Sequence, residues 1–328
     1  MQTHKFPVDA VFLWVDGSDP AWLAKKNALH RQLFGEGKDT DATQQARFRD
    51  NGELRYALRS LERYAPWINR IHIITDDQTP AWINTSKVNM VSHRDIFPAD
   101  ATLPVFNTRP IAFCAHRIPG LAEHFLMFED DFMLGRSVTK HDFFTKDGRP
   151  IIWMARRSKK RIELMLSKKH KTSHDAVIAN SHRVIRNHFG SSYPGTTRHY
   201  PKSMTKQTVE QLWEIFLDLI DRTLKSQFRS FDDGIITTLY PLYIIASQNG
   251  VLKKINGLTQ IIDFFTGGIL HIGGSLGDDN LSHKMRLIKL LKPRTFCIND
   301  AQKATLQDKK ILVNFLQTLF PNPSKFEK

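Results

Sequence analysis

Four short apolar runs, each halted by polar or acidic residues, constrain this chain more than any other feature. Val11-Phe12-Leu13-Trp14-Val15 stops at Asp16-Gly17-Ser18-Asp19-Pro20, and Arg70-Ile71-His72-Ile73-Ile74-Thr75 stops at Asp76-Asp77. Val88 to Val91 stops at Ser92-His93-Arg94-Asp95, and Phe125-Leu126-Met127-Phe128 leads straight into Glu129-Asp130-Asp131. Runs that are continuously apolar rather than alternating, spaced by helix-length segments, predict strands buried on both faces. The expected class is therefore α/β, with a mostly parallel, Rossmann-like sheet. Open sheets of this kind bind ligands beyond the carboxyl ends of their strands, where Asp16, Asp76, His93 and the Asp130-Asp131 pair would all be presented.

Helical signals fill the intervals. Glu53 to Arg63 carries Leu54, Ala57, Leu58 and Leu61 at helical spacing, with Asp50 three residues before Glu53 in the pattern of a capping box and Pro66 beyond its end. After about Pro150 the pattern shifts to basic and helical segments. Thr208 to Phe228 reads as one amphipathic helix, Phe231 to Ser247 as a second perturbed at Pro241, and Leu281 to Lys292 as a basic third. Thr259 to Phe265 reads as a strand and Gly267 to Gly277 as a glycine-rich loop. Residues 1–150 are thus expected to form the α/β core. Residues 151–328 would be a helical, basic region of the same catalytic unit.

Charge narrows the partners without choosing among them. Lys plus Arg number 47 against 33 Asp plus Glu, a formal +14, which attracts nucleic acid, anionic lipid, nucleotides and phosphate-bearing polymers alike. Eight of these cations fall between Arg156 and Lys171, a stretch that reads as a solvated face or as an anion-binding segment. Cys114 and Cys297 offer neither a disulfide framework nor zinc-ligand spacing. No run approaches the roughly 18 apolar residues that span a bilayer, so the expected location is cytoplasmic, with room for peripheral contact at the inner face of a membrane. Gly35-Glu36-Gly37-Lys38-Asp39 imitates only part of a P-loop, and neither a nucleophile elbow nor a dinucleotide fingerprint occurs.

The strand-end carboxylates suggest chemistry of a definite kind. Asp130-Asp131 reads either as an ordinary acidic surface pair or as a site for a divalent cation that bridges phosphate oxygens, because hard Mg²⁺ takes one or two carboxylates and leaves its other positions to substrate. The Asp16 to Asp19 turn reads as a nucleotide approach or as an ordinary Asx-capped βα turn. Arg55 and Arg59, at i and i+4, leave one helix face; they are either phosphate ligands or part of a surface ladder with Glu62. His199 is a candidate base or phosphate binder, with Arg229 downstream.

Further blocks share a recognisable order. They comprise Asp9 to Pro20, Arg47 to Arg63 continuing through Ala65-Pro66-Trp67, Ile73-Ile74-Thr75, Ala81-Trp82-Ile83, His116 to Leu121 and Glu129-Asp130-Asp131. After these come His199-Tyr200-Pro201-Lys202 with Arg229 and Asp232-Asp233, then Ser282-His283-Lys284-Met285 and Phe296 to Asp300. Taken together they resemble the Stealth family of sugar-phosphate transferases. That family includes bacterial capsular polysaccharide phosphotransferases and the catalytic subunit of the animal lysosomal-enzyme N-acetylglucosamine-1-phosphotransferase. Glu129 departs from the Asn expected in the animal relatives and adds charge beside the metal position.

The resemblance implies transfer of a hexose or hexosamine 1-phosphate from a UDP-sugar to a saccharide hydroxyl, which forms a phosphodiester and releases UMP in capsule or exopolysaccharide synthesis. On this reading the sheet is nucleotide-sugar-transferase-like, residues 1–150 bind nucleotide-sugar and metal, residues 151–328 complete the site and bind the acceptor, and Arg55, Asp131, His199 and Arg229 are catalytic. Asp16, Gly17, Asp19, Asn51, Arg59 and Arg117 bind substrate, and Asp130, Asp131 and Asp300 hold Mg²⁺ or Mn²⁺. The acceptor would be an anionic saccharide or phosphodiester polymer, with contact to membrane or capsule-assembly partners and no nucleic acid. The reading requires the acidic pair and the arginines to face one space. The alternatives are a metal-dependent glycosyltransferase that releases UDP and, from a different class, a basic nucleic-acid-binding protein, which would have no use for ordered strand-end carboxylates.

Overall fold

The computed structural model describes residues 6–36, 47–167, 170, 172–197, 199–255 and 271–328. Among these the strands are β1 (Val8–Leu13), β2 (Ile71–Thr75), β3 (Asn89–Ser92), β4 (His124–Glu129), β5 (Phe132–Leu134) and β6 (Ile151–Arg156). They continue with β7 (Gly195–Thr197), β8 (Lys202–Thr205), β9 (Val251–Ile255), β10 (His271–Ser275) and β11 (Thr295–Asn299). The main sheet has the order β3-β2-β1-β4-β8, parallel throughout except for β8, which runs antiparallel to β4 at one edge. The α/β class and the mostly parallel sheet therefore hold.

Both faces of that sheet are apolar, which explains why its strands do not alternate. Ala10, Phe12, Ile73, Leu126 and Phe128 point to one side, where the helix Glu53–Tyr64 lays down Leu54, Leu58 and Leu61. Val11, Ile74, Phe125 and Met127 point to the other, against Phe113, Leu212, Ile220 and Leu239 from four helices. The Phe12 and Phe128 rings stack at 4.8 Å across the β1–β4 pairing; truncating such a buried ring costs about 3–5 kcal/mol.

Asp9, fully buried near the start of β1, ties the opposite end of the sheet together. Its carboxylate accepts from Asn69 Nδ2, the Arg70 and Ala122 amides and His72 Nε2 at 2.8–3.1 Å. The Asn89 side-chain Nδ2 donates to His72 Nδ1 at 3.0 Å, which assigns the His72 proton to Nε2. Burial would raise the Asp9 carboxyl, but His72, Ala122 and Asn69 overcome it and hold the group below its ordinary value.

Residues on either side of position 150 share two sheets. β8 completes the main sheet, and β10-β11 pair with β5, while β7-β6-β9 form a third sheet. The later part of the chain therefore contributes strands as well as helices. Several local expectations change. The first strand spans Val8–Leu13, so Trp14 and Val15 lie beyond it. Thr208 to Phe228 is two helices, Lys206–Ile215 and Leu217–Leu224, parted at Phe216, whose ψ of 35° breaks the helical path. The capping box before Glu53 is absent. Gly52 takes the cap position at φ 83°, Asp50 accepts its amide, and the Glu53 carboxylate is engaged by Asn51. Gly273 and Gly274 belong to β10 rather than to a loop; Thr259 to Phe265 and Gly267 to Leu270 lie outside the described residues.

Candidate active site

A cleft of about 300 Å³ opens at the carboxyl ends of β1, β2 and β4. Trp14, Asp76, Glu129 and Asp130 reach it from the strand ends, and His174, His199, Lys202 and Arg229 from later segments. Ile111, Ala112, Ile178 and Ile235 give it an apolar flank. An adjoining hollow shares Trp14, Trp22 and Asp76 with it and adds Asp16, Asp19, Asp50, Gln78 and Trp82. The location is the one expected for an open α/β sheet.

The turn after β1 holds one wall. Gly17 donates to the Phe48 carbonyl at 2.7 Å, and a Cβ at Gly17 would lie 2.3 Å from that oxygen, so only glycine permits the approach. Phe48 then packs with Trp22, Phe106 and Phe228 in a separate aromatic cluster, beside Arg47 on the cleft wall. Asp16 accepts from the Ser18 amide and hydroxyl at 2.8 and 2.6 Å, and Asp19 caps the helix Pro20–Phe34 through the Trp22 amide. Both residues line the adjoining hollow while serving as local turn and cap groups.

Carboxylates crowd the floor. Burial, Asp131, Glu53, Asp50 and Glu129 raise Asp130 well above its ordinary value; burial, Glu129 and Glu53 do the same for Asp131. Glu53, 5% exposed, is pushed up to about 7 by burial against the opposing Asn51 hydrogen bonds. Asp130 and Asp131 both keep some solvent-accessible surface, and Asp130 lines the cleft, so a ligand can reach this acidic cluster at Asp130. Hard oxygen donors whose charged forms are mutually disfavoured match what a divalent cation relieves. Among the described residues no three His, Cys, Asp or Glu side chains group to hold a metal unaided, so Asp130 and Asp131 would need substrate oxygens to complete a coordination sphere.

Cationic groups face the same space. Arg229 reaches Thr108 Oγ1 at 3.3 Å, and Arg109 is anchored to Asp233 at 2.8 Å and to the Ser230 carbonyl. His174 is lowered by burial, then by His199, Arg109 and Arg229. His93 is pushed to about 4 by burial although Asp76 Oδ1 stands 3.9 Å from its Nδ1; Lys25 pairs with the same carboxylate. Nothing at sequence level separated His174 from the other histidines, because its position depends on a helix start (Ser173–Phe189) packed beside the cleft.

The structure brings together only part of the expected set. Asp130, His199 and Arg229 line one cleft; Asp131, the next residue after Asp130, lines neither that cleft nor the adjoining hollow. Arg55 and Arg59 do not flank the acidic pair. Arg59 is buried in an ion pair with Glu327, while Arg55 stands 3.5 Å from Glu327 and lies over the Trp82 ring at 4.9 Å. Asp300 is not free for a metal, because Arg49 binds it at 2.7 and 3.0 Å. Asn51 spans Glu53 and Asp300 and lines neither cavity. Arg117 lies over Trp213 at 5.7 Å, also away from both.

Three regions of the Stealth proteins match this chain: conserved region 1 over residues 6–33, region 2 over 47–152 and region 4 over 289–328. An exopolysaccharide phosphotransferase of Lactiplantibacillus plantarum is 31% identical over 98% of this chain and 97% of its own length. The chain belongs to the Stealth family. An exopolysaccharide phosphotransferase of Streptomyces coelicolor is 33% identical over 98% of this chain, which spans only 57% of that protein. Region 4 begins beyond Ser282 to Met285, so that stretch falls outside the matched Stealth segment. Among solved structures, the glycosyltransferase GlyE of Streptococcus pneumoniae aligns over 96% of this chain and 62% of its own at 10% identity and a TM-score of 0.41. The α/β assignment of this Stealth protein rests on its strand order. Among the described residues no helix is long and apolar enough to cross a membrane.

Proposed function

We propose that this Stealth protein moves a hexose or hexosamine 1-phosphate from a UDP-sugar to a hydroxyl of an exopolysaccharide or capsular saccharide, forming a phosphodiester and releasing UMP. The observation that carries this reading is the shared cleft of Asp130, His199 and Arg229 at the strand ends of a chain whose relatives are exopolysaccharide phosphotransferases.

Attack at the sugar-bearing phosphorus spreads charge over its non-bridging oxygens and onto the departing UMP oxygen. Arg229 donates to those oxygens, taking the part expected of the arginines on Glu53–Tyr64. His199, exposed at the rim, accepts the acceptor hydroxyl proton. Asp130 and Asp131 would hold Mg²⁺ or Mn²⁺, which would supply further positive charge there. The Gly17–Phe48 contact keeps the wall carrying Arg47 in place. The exposed Arg156, Arg157, Lys160 and Arg161 lie on or beside the helix Lys159–Ser167, which packs on the helix carrying His174; they steer an anionic acceptor toward the mouth. Lys168, Lys169 and Lys171 of that basic stretch lie outside the described residues.

The test is a panel of UDP-sugars with Mg²⁺ and oligosaccharide acceptors, scored for nucleotide product. Accumulation of UMP supports the reading. Accumulation of UDP means the sugar moves without its phosphate, and no release from any UDP-sugar rejects the donor class.

A further inference from the structure

Asp233 is fully buried, and the proposed transfer gives it no part. Its Oδ2 accepts from Arg109 Nη1 at 2.8 Å, from Asn107 Nδ2 at 2.9 Å and from the Ser230 amide at 2.9 Å. Asn107 Nδ2 also donates to the Phe228 carbonyl at 3.3 Å, and Arg109 Nη1 to the Ser230 carbonyl at 2.8 Å. The residues on both sides of Arg229 are therefore held through their backbone atoms by this buried cluster. A third element joins it. Arg109 Nη2 donates to Ser173 Oγ at 3.0 Å, at the start of the helix that carries His174. Asn180 of the same helix donates to the Phe231 and Asp233 carbonyls at 2.8 and 2.9 Å.

A buried ion pair is poor evidence for stability, because apolar side chains of similar volume often serve as well. What this pair does fix is geometry. The planar Arg109 fork has one arm on the Ser230 turn and the other on the helix start, so turn and helix cannot shift independently. Both deliver side chains to the cleft, Arg229 from the turn and His174 from the helix. We propose that Asp233 is a positioning residue, which acts through Arg109 and the Ser230 turn to hold Arg229 where it meets a phosphate of the donor. The inference rests on the phosphate contact given to Arg229 in the proposed function, but not on which bond of the donor breaks. An arginine held at both flanks starts from a fixed backbone, and a misplacement of about 1 Å caused at a distance can cost roughly 10²-fold in rate.

The test uses the full chain and two replacements, each made with Arg229 intact and with Arg229→Ala. One is the single Asp233→Asn, which keeps an acceptor; the other pairs Arg109→Met with Asp233→Leu, so that no buried charge is left alone. Melting temperatures identify the folded chains, and calorimetry reads the affinity of each for inorganic pyrophosphate with Mg²⁺. With Arg229 present, either replacement should weaken pyrophosphate binding roughly tenfold and lower kcat/KM roughly 10²-fold. In the Arg229→Ala chain the same replacement should change both by no more than about twofold, because the residue it serves is already gone. Equal losses in the two backgrounds would mean that Arg109 or Asp233 acts on the ligand or the fold directly, and overturn the proposal. A folded paired variant with parental affinity and rate would overturn it too, as would an Arg229→Ala chain that binds pyrophosphate as the parent does. Release of UDP instead of UMP would reject the proposed function while leaving the pyrophosphate comparison intact.

Discussion

Glu327 accepts Nε and Nη2 of Arg59 at 2.7 and 2.8 Å across 268 positions of sequence. Arg59 also donates to the Phe320 carbonyl at 2.8 Å, and the tail around Glu327 bridges to Ile83. The pair joins the C-terminal segment to the Glu53–Tyr64 helix and to the strip that carries Trp82. Breaking it leaves a charge largely out of water. Glu327→Gln should therefore destabilise the protein by about 3 kcal/mol while changing turnover of the folded enzyme little. Denaturant titration alongside initial rates checks this; a kinetic defect with unchanged stability would return Arg59 to the active site.

Asp131→Asn should behave in the opposite way. It removes one charge from a crowded acidic floor, so its melting temperature should equal or exceed that of the parent, while kcat/KM falls roughly 10²- to 10³-fold. Mg²⁺ should raise the melting temperature of the parent and not of the variant. A Mg²⁺ shift retained in Asp131→Asn would remove Asp131 from the metal site.

The acidic floor also sets a pH dependence for the metal-free protein. Glu53 rises from 4.5 to about 7 on folding, so the folded state binds its proton more tightly than the unfolded chain. The stability this gives is fully present below the unfolded value and is lost as pH rises through about 7, on the order of 3 kcal/mol for this group. Asp130 and Asp131 shift in the same direction. Melting temperatures without metal should therefore fall between about pH 5 and pH 8, and added Mg²⁺ should flatten the slope. A slope unaffected by Mg²⁺ would contradict this account.

Gly17→Ala tests the wall of the cleft. Its new methyl would overlap the Phe48 carbonyl, so the Arg47-Phe48 segment must shift, at about 1–3 kcal/mol and with a raised KM for the donor. An unchanged KM would show that this wall does not touch the donor.

Much of this was legible before the fold was known, and the exceptions have physical causes. The strand ends that present Asp76 and Asp130 follow from two-sided burial, which makes a strand continuously apolar and leaves charge only at its exit. The Glu53–Tyr64 helix follows from its leucine spacing. That same spacing says only that Arg55 and Arg59 share a face; their partner, Glu327, comes from a distant tail that no local pattern announces. Asp300 was lost to Arg49 for the same reason. The burial of Lys202 was not legible, because a lysine in a chain of +14 charge reads as surface, whereas it opens a four-residue strand paired antiparallel with β4.

The most direct measurement follows the phosphorus itself. With a UDP-sugar carrying ³²P in the sugar-linked phosphate, the account predicts that label passes into the saccharide product with UMP left unlabelled. Label retained in UDP, with an unlabelled saccharide product, would contradict it.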